Sequence, residues 1–194
     1  MILLRHGQST FNAVFSVTRI DPGIPDPPLT EEGRRQAEAA ARALGAYGLK
    51  RLLVSPYTRT LQTAQIIAEA LHLPIVIEPL VRERRHFACD VGTVRAELAK
   101  AWPHLDFAEL TERWWPDDEE HEPLMLERCR LFRERMAQVD DWRATGVISH
   151  WAFIRGLTGR ALPNAAMLVF DPVEGRAEPH GADHDGKGAH GIGN

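Results

Sequence analysis

The stretch that decides the fold opens the chain and reads Met1-Ile2-Leu3-Leu4-Arg5-His6-Gly7. A short apolar run that stops at charged residues predicts a buried strand that passes directly into a loop. A strand needs neither an arginine nor a histidine at its end. Their presence at this point therefore indicates a loop with a chemical role.

Two other apolar stretches end in the same way. Residues 51–54 lead into a segment that contains Ser55 and Arg59, and residues 146–149 lead into His150. In open α/β sheets, ligands bind outside the carboxyl ends of the strands, and such side chains converge there if the strands are parallel. The sequence therefore predicts a site that contains two arginines and two histidines.

Strands and helices alternate along the rest of the chain. Periodic apolar residues predict helices that begin at Thr30 and at Ser55-Pro56, a short one at 93–101, and longer ones at 125–139 and 150–160. Further strands are predicted at 75–77 and 167–170, and a proline-rich loop at 16–30. This order is typical of a three-layer α/β/α domain with a central, mainly parallel sheet.

Composition limits the function classes. The 194 residues are 44% hydrophobic and 26% charged, with a net charge of −4, as in an ordinary globular domain. Such a charge gives no global reason to expect nucleic acid or an anionic membrane as a partner. With no apolar run of about 18 residues and no leader, we expect a cytoplasmic protein. Cys89 and Cys129 fit neither a zinc site nor a disulfide framework.

The domain is predicted to cover residues 1–171, with a cap or specificity segment at about 84–122. Residues 172–194 are rich in glycine and histidine and hold few apolar side chains, so we expect a flexible tail there. The tail histidines allow metal binding as an alternative. We predict no metal site, because nothing orders those side chains in advance.

The converging residues suit a phosphate group. Guanidinium groups match phosphate oxygens bidentately and stay charged, so Arg5 and Arg59 would balance a phosphate monoester dianion. A neutral imidazole has a free ring nitrogen that can act as a nucleophile. Gly7 allows a close approach to a ligand or a positive φ angle.

These blocks resemble the histidine phosphatase superfamily, the phosphoglycerate mutase-like group. The resemblance rests on residues 3–12, 28–33, 55–64 and 148–155, which occur in the order typical of that family. It implies that His6 is the nucleophile that becomes phosphohistidine. It also implies that three further residues hold the phosphoryl oxygens, namely Arg5, Arg59 and His150, and that Asn12 adds a phosphate contact.

The resemblance further implies a carboxylate proton donor, for which Glu83 is the best match. The alternative is a surface charge paired with Arg82 or Arg84. Two positions depart from the family pattern. Gln8 stands where many mutases have glutamate, and Trp151 where many members have glycine. We place Trp151 among the substrate-binding residues, with simple packing as the alternative.

The favoured function is a metal-independent phosphatase that needs no cofactor and hydrolyses small-molecule phosphate monoesters through phosphohistidine. There are two alternatives on the same fold: a mutase, or a protein that binds phosphate without catalysis. The basic run from Arg84 to His86 hints at a second acidic group on the substrate. Trp102, Trp114 and Trp115 either select substrate or pack beneath the cap. The protein is expected to be a monomer or a homodimer.

Overall fold

The structure, a computed structural model, describes residues 1–179. A six-stranded sheet forms its centre, in the order β3-β2-β4-β1-β5-β6. The strands are β1 (Ile2–Arg5), β2 (Arg51–Val54), β3 (Ile75–Ile77), β4 (Thr145–Ser149), β5 (Met167–Asp171) and β6 (Arg176–Pro179). The four neighbours β3, β2, β4 and β1 are parallel, whereas β5 and β6 pair antiparallel. The prediction of a mainly parallel sheet is confirmed.

Six α-helices surround the sheet in the described part of the chain. They are α1 (Thr10–Thr18), α2 (Glu31–Leu44), α3 (Thr58–Leu71), α4 (Arg95–Ala101), α5 (Glu122–Ala137) and α6 (Trp151–Thr158). The apolar faces of α2 and α3 pack with Leu4 and Ile148 in one core cluster. Helices α5 and α6 pack with Leu3 and Val147 in a second cluster. Since adjacent strand residues point to opposite sheet faces, two clusters built on alternating residues give the predicted three layers.

Helix α1 was not predicted. Its residues include several β-branched and aromatic side chains, which have low helix propensity. A capping box begins the helix: Ser9 Oγ accepts from the Asn12 N–H, and Asn12 Oδ1 accepts from the Ser9 N–H. Helix α1 covers Thr10–Thr18, so only its last three residues overlap the segment 16–30 that proline and glycine made us expect as a loop.

Two further predictions need correction. Helix α3 begins at Thr58, with Tyr57 as N-cap, and not at Ser55-Pro56, because the Ser55 side chain has another partner, described below. The predicted tail at 172–194 begins too early, since residues Arg176–Pro179 form strand β6 against β5 after a turn at Gly175. The remainder of that tail, with its histidines, lies outside the described residues. Within the described residues no helix is long and apolar enough to span a membrane.

A close contact between two glycines fixes the loop after β1. A Cβ atom on Gly7 would lie 2.3 Å from the Gly33 carbonyl oxygen, and one on Gly33 would lie 2.1 Å from the Gln8 carbonyl oxygen. Gly7 has no positive φ angle. The absence of a side chain at Gly7 therefore lets the first turn of α2 lie directly against the loop. This backbone contact fixes the segment that carries His6.

We predict that Gly33→Ala lowers the free energy of unfolding by about 1–3 kcal/mol or more, because neither backbone segment can move aside easily. Urea unfolding measures the change. Gly45→Ala is the control, since Gly45 has φ −55° and its added Cβ would lie 3.8 Å from Leu71. Equal stability of the two variants would contradict the close contact.

Candidate active site

A cavity of about 550 Å³ lies where β1 and β4 end in Arg5 and Ser149. Six of the seven predicted site residues line it, namely Arg5, His6, Asn12, Arg59, Glu83 and Trp151. The seventh, His150, has no exposed surface, and its ring centroid lies 5.1 Å from that of His6. The predicted convergence at one edge of the sheet is therefore present in the structure.

The His6 ring is held with one nitrogen free. Its Nδ1 lies 2.7 Å from the Gly7 carbonyl oxygen, which can only accept a hydrogen bond. Nδ1 therefore carries the hydrogen of the neutral ring, and Nε2 carries the lone pair. Burial, together with the charges of Arg59 and Arg5, lowers the pKa of His6 well below 6.5. The ring is thus neutral at pH 7 and suited to nucleophilic attack.

The loop that carries His6 is fixed from three sides. The His6 N–H donates to the Ser149 carbonyl at 3.0 Å, on the neighbouring strand. The Gly7 N–H donates to Thr63 Oγ1 at 3.1 Å, one turn of α3 beyond Arg59. Asn164 Nδ2 donates to the His6 carbonyl at 3.2 Å. These bonds position the nucleophile without any contact to its Nε2.

His150 is oriented by a residue that we expected to cap a helix. Ser55 Oγ lies 2.8 Å from His150 Nε2. The other ring nitrogen, Nδ1, is buried and has no partner within residues 1–179. Burial and then the charge of Arg59 lower the pKa of His150 well below 6.5, so its ring is neutral. When Ser55 donates to Nε2, Nδ1 carries a hydrogen for which residues 1–179 provide no acceptor.

The two arginines are held differently. Arg5 donates from Nη1 to the Leu162 carbonyl at 2.9 Å, while its Nε is buried and unpartnered among the described residues. Arg59 is only 3% exposed and donates to the Cys89 carbonyl at 2.8 Å. Buried donors without acceptors are costly, and an anionic ligand would satisfy them. The cavity is therefore built for an anion.

Glu83 does not form the surface ion pair that was its alternative. Its carboxylate accepts hydrogen bonds from three backbone N–H groups, those of Ala152 and Phe153 at the start of α6 and that of Arg84. Burial and the charge of Asp90 raise the pKa of Glu83 above 4.5. The backbone donors lower this pKa, but their effect is smaller. A carboxyl group placed at the cavity with a raised pKa can serve as a proton donor.

Asn12 lies at the cavity with its amide oxygen already engaged. Its Oδ1 accepts from Ser9 and from Asn164 Nδ2, the latter at 3.1 Å. This orients the amide of Asn12 so that Nδ2 is available as a donor. The role of Asn164 had no signal in the sequence, because it follows no strand end and belongs to none of the recognised blocks.

Asp90 is a second site residue that sequence reasoning missed. Its Oδ1 accepts from Arg59 Nη2 at 3.2 Å, and both side chains are 3% exposed. Its Oδ2 accepts from the N–H groups of His86 and Phe87. Asp90 therefore ties the loop at residues 86–90 to the arginine and supplies its counter-charge. A carboxylate seven residues beyond Glu83 was the only sequence signal, and nothing in the spacing linked it to Arg59.

The predicted specificity segment contributes only in its first part. Five of its residues line the cavity, namely Arg84, His86, Phe87, Cys89 and Asp90. Trp114 and Trp115 are buried in the core cluster beneath α3, and Trp102 packs against the same cluster. The tryptophans therefore pack within the fold and do not line the cavity.

The residues around Arg84 give little support to the prediction that the substrate carries a second acidic group. The Glu119 carboxylate pairs with both Arg84, at 3.1 Å, and His86, at 2.7 Å. Arg85 donates to the Phe87 carbonyl at 2.9 Å. The basic run is thus engaged within the protein. Within residues 1–179 no three His, Cys, Asp or Glu side chains cluster in a way that could hold a metal ion.

We predict that Asp90→Asn lowers the free energy of unfolding by about 2–5 kcal/mol without phosphate, because Arg59 loses its buried counter-charge. Inorganic phosphate should then raise the melting temperature of the variant by more than that of the wild type, since the anion replaces the lost charge. Thermal unfolding with and without phosphate measures both effects.

Asp141→Asn is the matched control, because it breaks the more exposed pair between Asp141 and Arg51. We expect a loss of about 0–1 kcal/mol there and no change in the phosphate effect. If phosphate stabilised Asp90→Asn no more than the wild type, the assignment of Arg59 to the anion site would be wrong.

Known proteins resemble this chain in sequence. A Schizosaccharomyces pombe protein named Probable phosphatase is 31% identical over 141 residues, covering 67% of this chain and 65% of that protein. A Cronobacter sakazakii protein named Probable phosphoglycerate mutase GpmB is 34% identical over 113 residues, covering 58% of this chain and 46% of the relative. These matches span less than two thirds of the relatives' length.

Solved structures share the fold. The mycobacterial glucosyl-3-phosphoglycerate phosphatase in complex with VO3 aligns with a TM-score of 0.61 at 22% identity, over 92% of this chain and 95% of that one. The α-ribazole phosphatase of Shigella flexneri aligns with a TM-score of 0.62 at 19% identity, over 91% and 92% of the two chains. The family model of the histidine phosphatase superfamily, branch 1, matches residues 1–172. The resemblance seen in the sequence is therefore confirmed, and the chain belongs to the histidine phosphatase superfamily.

Proposed function

We propose that this protein is a phosphatase that hydrolyses phosphate monoesters through a phosphohistidine on His6. The observation that carries the proposal is the neutral His6 ring, whose Nδ1–H is bound to the Gly7 carbonyl. Its Nε2 has no hydrogen-bond partner among residues 1–179, and Arg5 and Arg59 line the same cavity. A protein that only bound phosphate would not need a free nucleophilic nitrogen at that position.

The first step transfers the phosphoryl group to the protein. Nε2 of His6 attacks phosphorus as the bond to the ester oxygen breaks, and the leaving oxygen takes the proton of Glu83. In the second step water attacks phosphorus and gives its proton to Glu83, while the P–N bond breaks and its electron pair returns to Nε2. Phosphate then leaves, and both side chains regain their starting state.

Fixed positive charge stabilises the transferring group. Arg5 and Arg59 take the place that a divalent cation has in other phosphoryl-transfer enzymes, and the unpartnered donors Arg5 Nε and His150 Nδ1 would bond to phosphoryl oxygens. We therefore propose catalysis without a metal or other cofactor. Asn12 would add a donor through Nδ2, and Trp151 would contact the alcohol part of the substrate.

Hydrolysis is favoured over the mutase reaction. A mutase must hold a carboxylate-bearing intermediate, yet Arg84 of the basic run is paired with Glu119 and Arg85 donates to a backbone carbonyl. Of the two relatives described above, one is named as a phosphatase and one as a phosphoglycerate mutase. Two proteins of this fold have structures with phosphate-like oxyanions, VO3 in one and tungstate in the other.

The proposal is tested by trapping the intermediate. Acid quench during turnover of a labelled monoester, with EDTA present throughout, should leave acid-labile, alkali-stable label on His6. His6→Ala should lower turnover by several orders of magnitude, because no other nucleophile replaces Nε2. His104→Ala, at an exposed histidine remote from the cavity, serves as the control. Label on serine, aspartate or cysteine would refute the nucleophile, and loss of activity in EDTA would refute metal independence.

The proton-donor role of Glu83 gives a separate prediction. Glu83→Gln should slow alkyl phosphates by at least about a hundredfold and p-nitrophenyl phosphate far less, because nitrophenolate leaves without a proton. Since the Glu83 pKa is raised above 4.5, the wild type should stay active at pH values above 4.5 and lose kcat/KM as the group deprotonates. Steady-state rates against pH measure this. Exposed Glu69→Gln is the control, and equal slowing of both ester classes would exclude Glu83 as the donor.

A further inference from the structure

Three phenylalanines form a continuous wall, which we call the phenylalanine wall: Phe11, Phe15 and Phe87. The ring centroids of Phe11 and Phe15 lie 5.1 Å apart and nearly parallel. The Phe87 ring lies 5.5 Å from Phe11 and 5.1 Å from Phe15. Helix α1 therefore supplies two rings and the loop before Asp90 supplies the third.

The phenylalanine wall belongs to the same cavity as His6 and the two arginines. None of the three rings is part of either hydrophobic core cluster. Phe11 is 7% exposed, whereas Phe15 and Phe87 are half-buried. Burial within the fold accounts for Phe11, but Phe15 and Phe87 keep part of their surface exposed at the cavity.

The loop that carries Phe87 is held in position by charge. Asp90 accepts from the N–H of Phe87 at 2.9 Å, and Arg85 donates to the Phe87 carbonyl at 2.9 Å. The neighbouring His86 ring packs on Phe87 at 4.5 Å between centroids and is paired with Glu119. Thus Arg85 and Asp90 hold the loop, while the Arg19 guanidinium, which also lines the cavity, lies 5.9 Å from the Phe15 ring centroid.

We propose that the phenylalanine wall binds the alcohol part of the substrate, and that this alcohol carries an aromatic or flat apolar group. The inference rests on the proposed phosphatase function. Aromatic surfaces favour flat apolar partners in offset or edge-to-face contact. A cavity of about 550 Å³ has room for such a group beside the phosphate. Small, highly charged esters such as phosphoglycerate would leave the wall exposed to water.

The test compares benzyl phosphate with glycerol 1-phosphate and 3-phosphoglycerate. All three are alkyl esters that need a proton on the leaving oxygen, so the chemical step is matched. We expect the wild type to show a kcat/KM for benzyl phosphate that is at least about tenfold higher than for the other two. A preference for 3-phosphoglycerate would overturn the inference.

Phe15→Ala should reduce the preference for benzyl phosphate by about tenfold or more, with most of the change in KM, and Phe15→Leu should reduce it less. The leucine variant keeps an apolar side chain and guards against a simple loss of folding. Val17→Ala is the matched control on the same helix, because Val17 is 83% exposed and lies outside the cavity; it should keep the wild-type preference.

The two proposals fail in different ways. Absence of phosphate release from every ester would refute the phosphatase function. Release from all three esters at similar kcat/KM, or a preference that Phe15→Ala leaves unchanged, would refute the role of the phenylalanine wall and leave the phosphatase function standing.

Discussion

The parallel pairing of β1 with β4 is the constraint on which the site depends. Arg5 lies opposite Ser149 in this register, and the His6 N–H extends the ladder by donating to the Ser149 carbonyl. On the other side of β4, the Ser55 N–H donates to the Ile148 carbonyl. Three loops therefore leave the sheet at one level. A shift of one residue in either pair would move every side chain to the opposite face and separate the two histidines.

The same edge concentrates positive charge in a buried place. Two arginines lie beside two histidines, and burial and this charge together keep both imidazoles neutral. Asp90 offsets part of the charge, and Arg5 Nε has no partner among residues 1–179. The folded protein thus holds charged donors in place before the ligand arrives, and a bound anion supplies the acceptors that they lack. This is electrostatic preorganisation, in which the cost of orienting the charged groups is met during folding.

Regular features of the fold could be read from the sequence, and irregular ones could not. Buried strands such as residues 51–54 carry a clear apolar signal, and the amphipathic helix α2 carries a strong periodic one. Helix α1 has no such signal, because a capping box and its place over the cavity decide its conformation. Strand β6 depends on an edge offered by β5 and not on its own apolar content. Polar contacts between distant segments, such as those of Ser55, Asp90 and Asn164, arise only in three dimensions.

The phosphate end of the cavity and the phenylalanine wall come from different parts of the architecture. Strand ends supply Arg5, His6 and His150, whereas α1 and residues 86–90 supply the aromatic rings. The strand ends are fixed by the sheet, so they tolerate little change. Phe15 and Phe87 of the wall are half-buried and lie outside both core clusters, so they can be altered at a smaller cost to the fold. Because the catalytic residues and the aromatic rings lie on separate elements, substitutions in one helix and one loop can change the preferred substrate. The residues that carry out the reaction can stay the same.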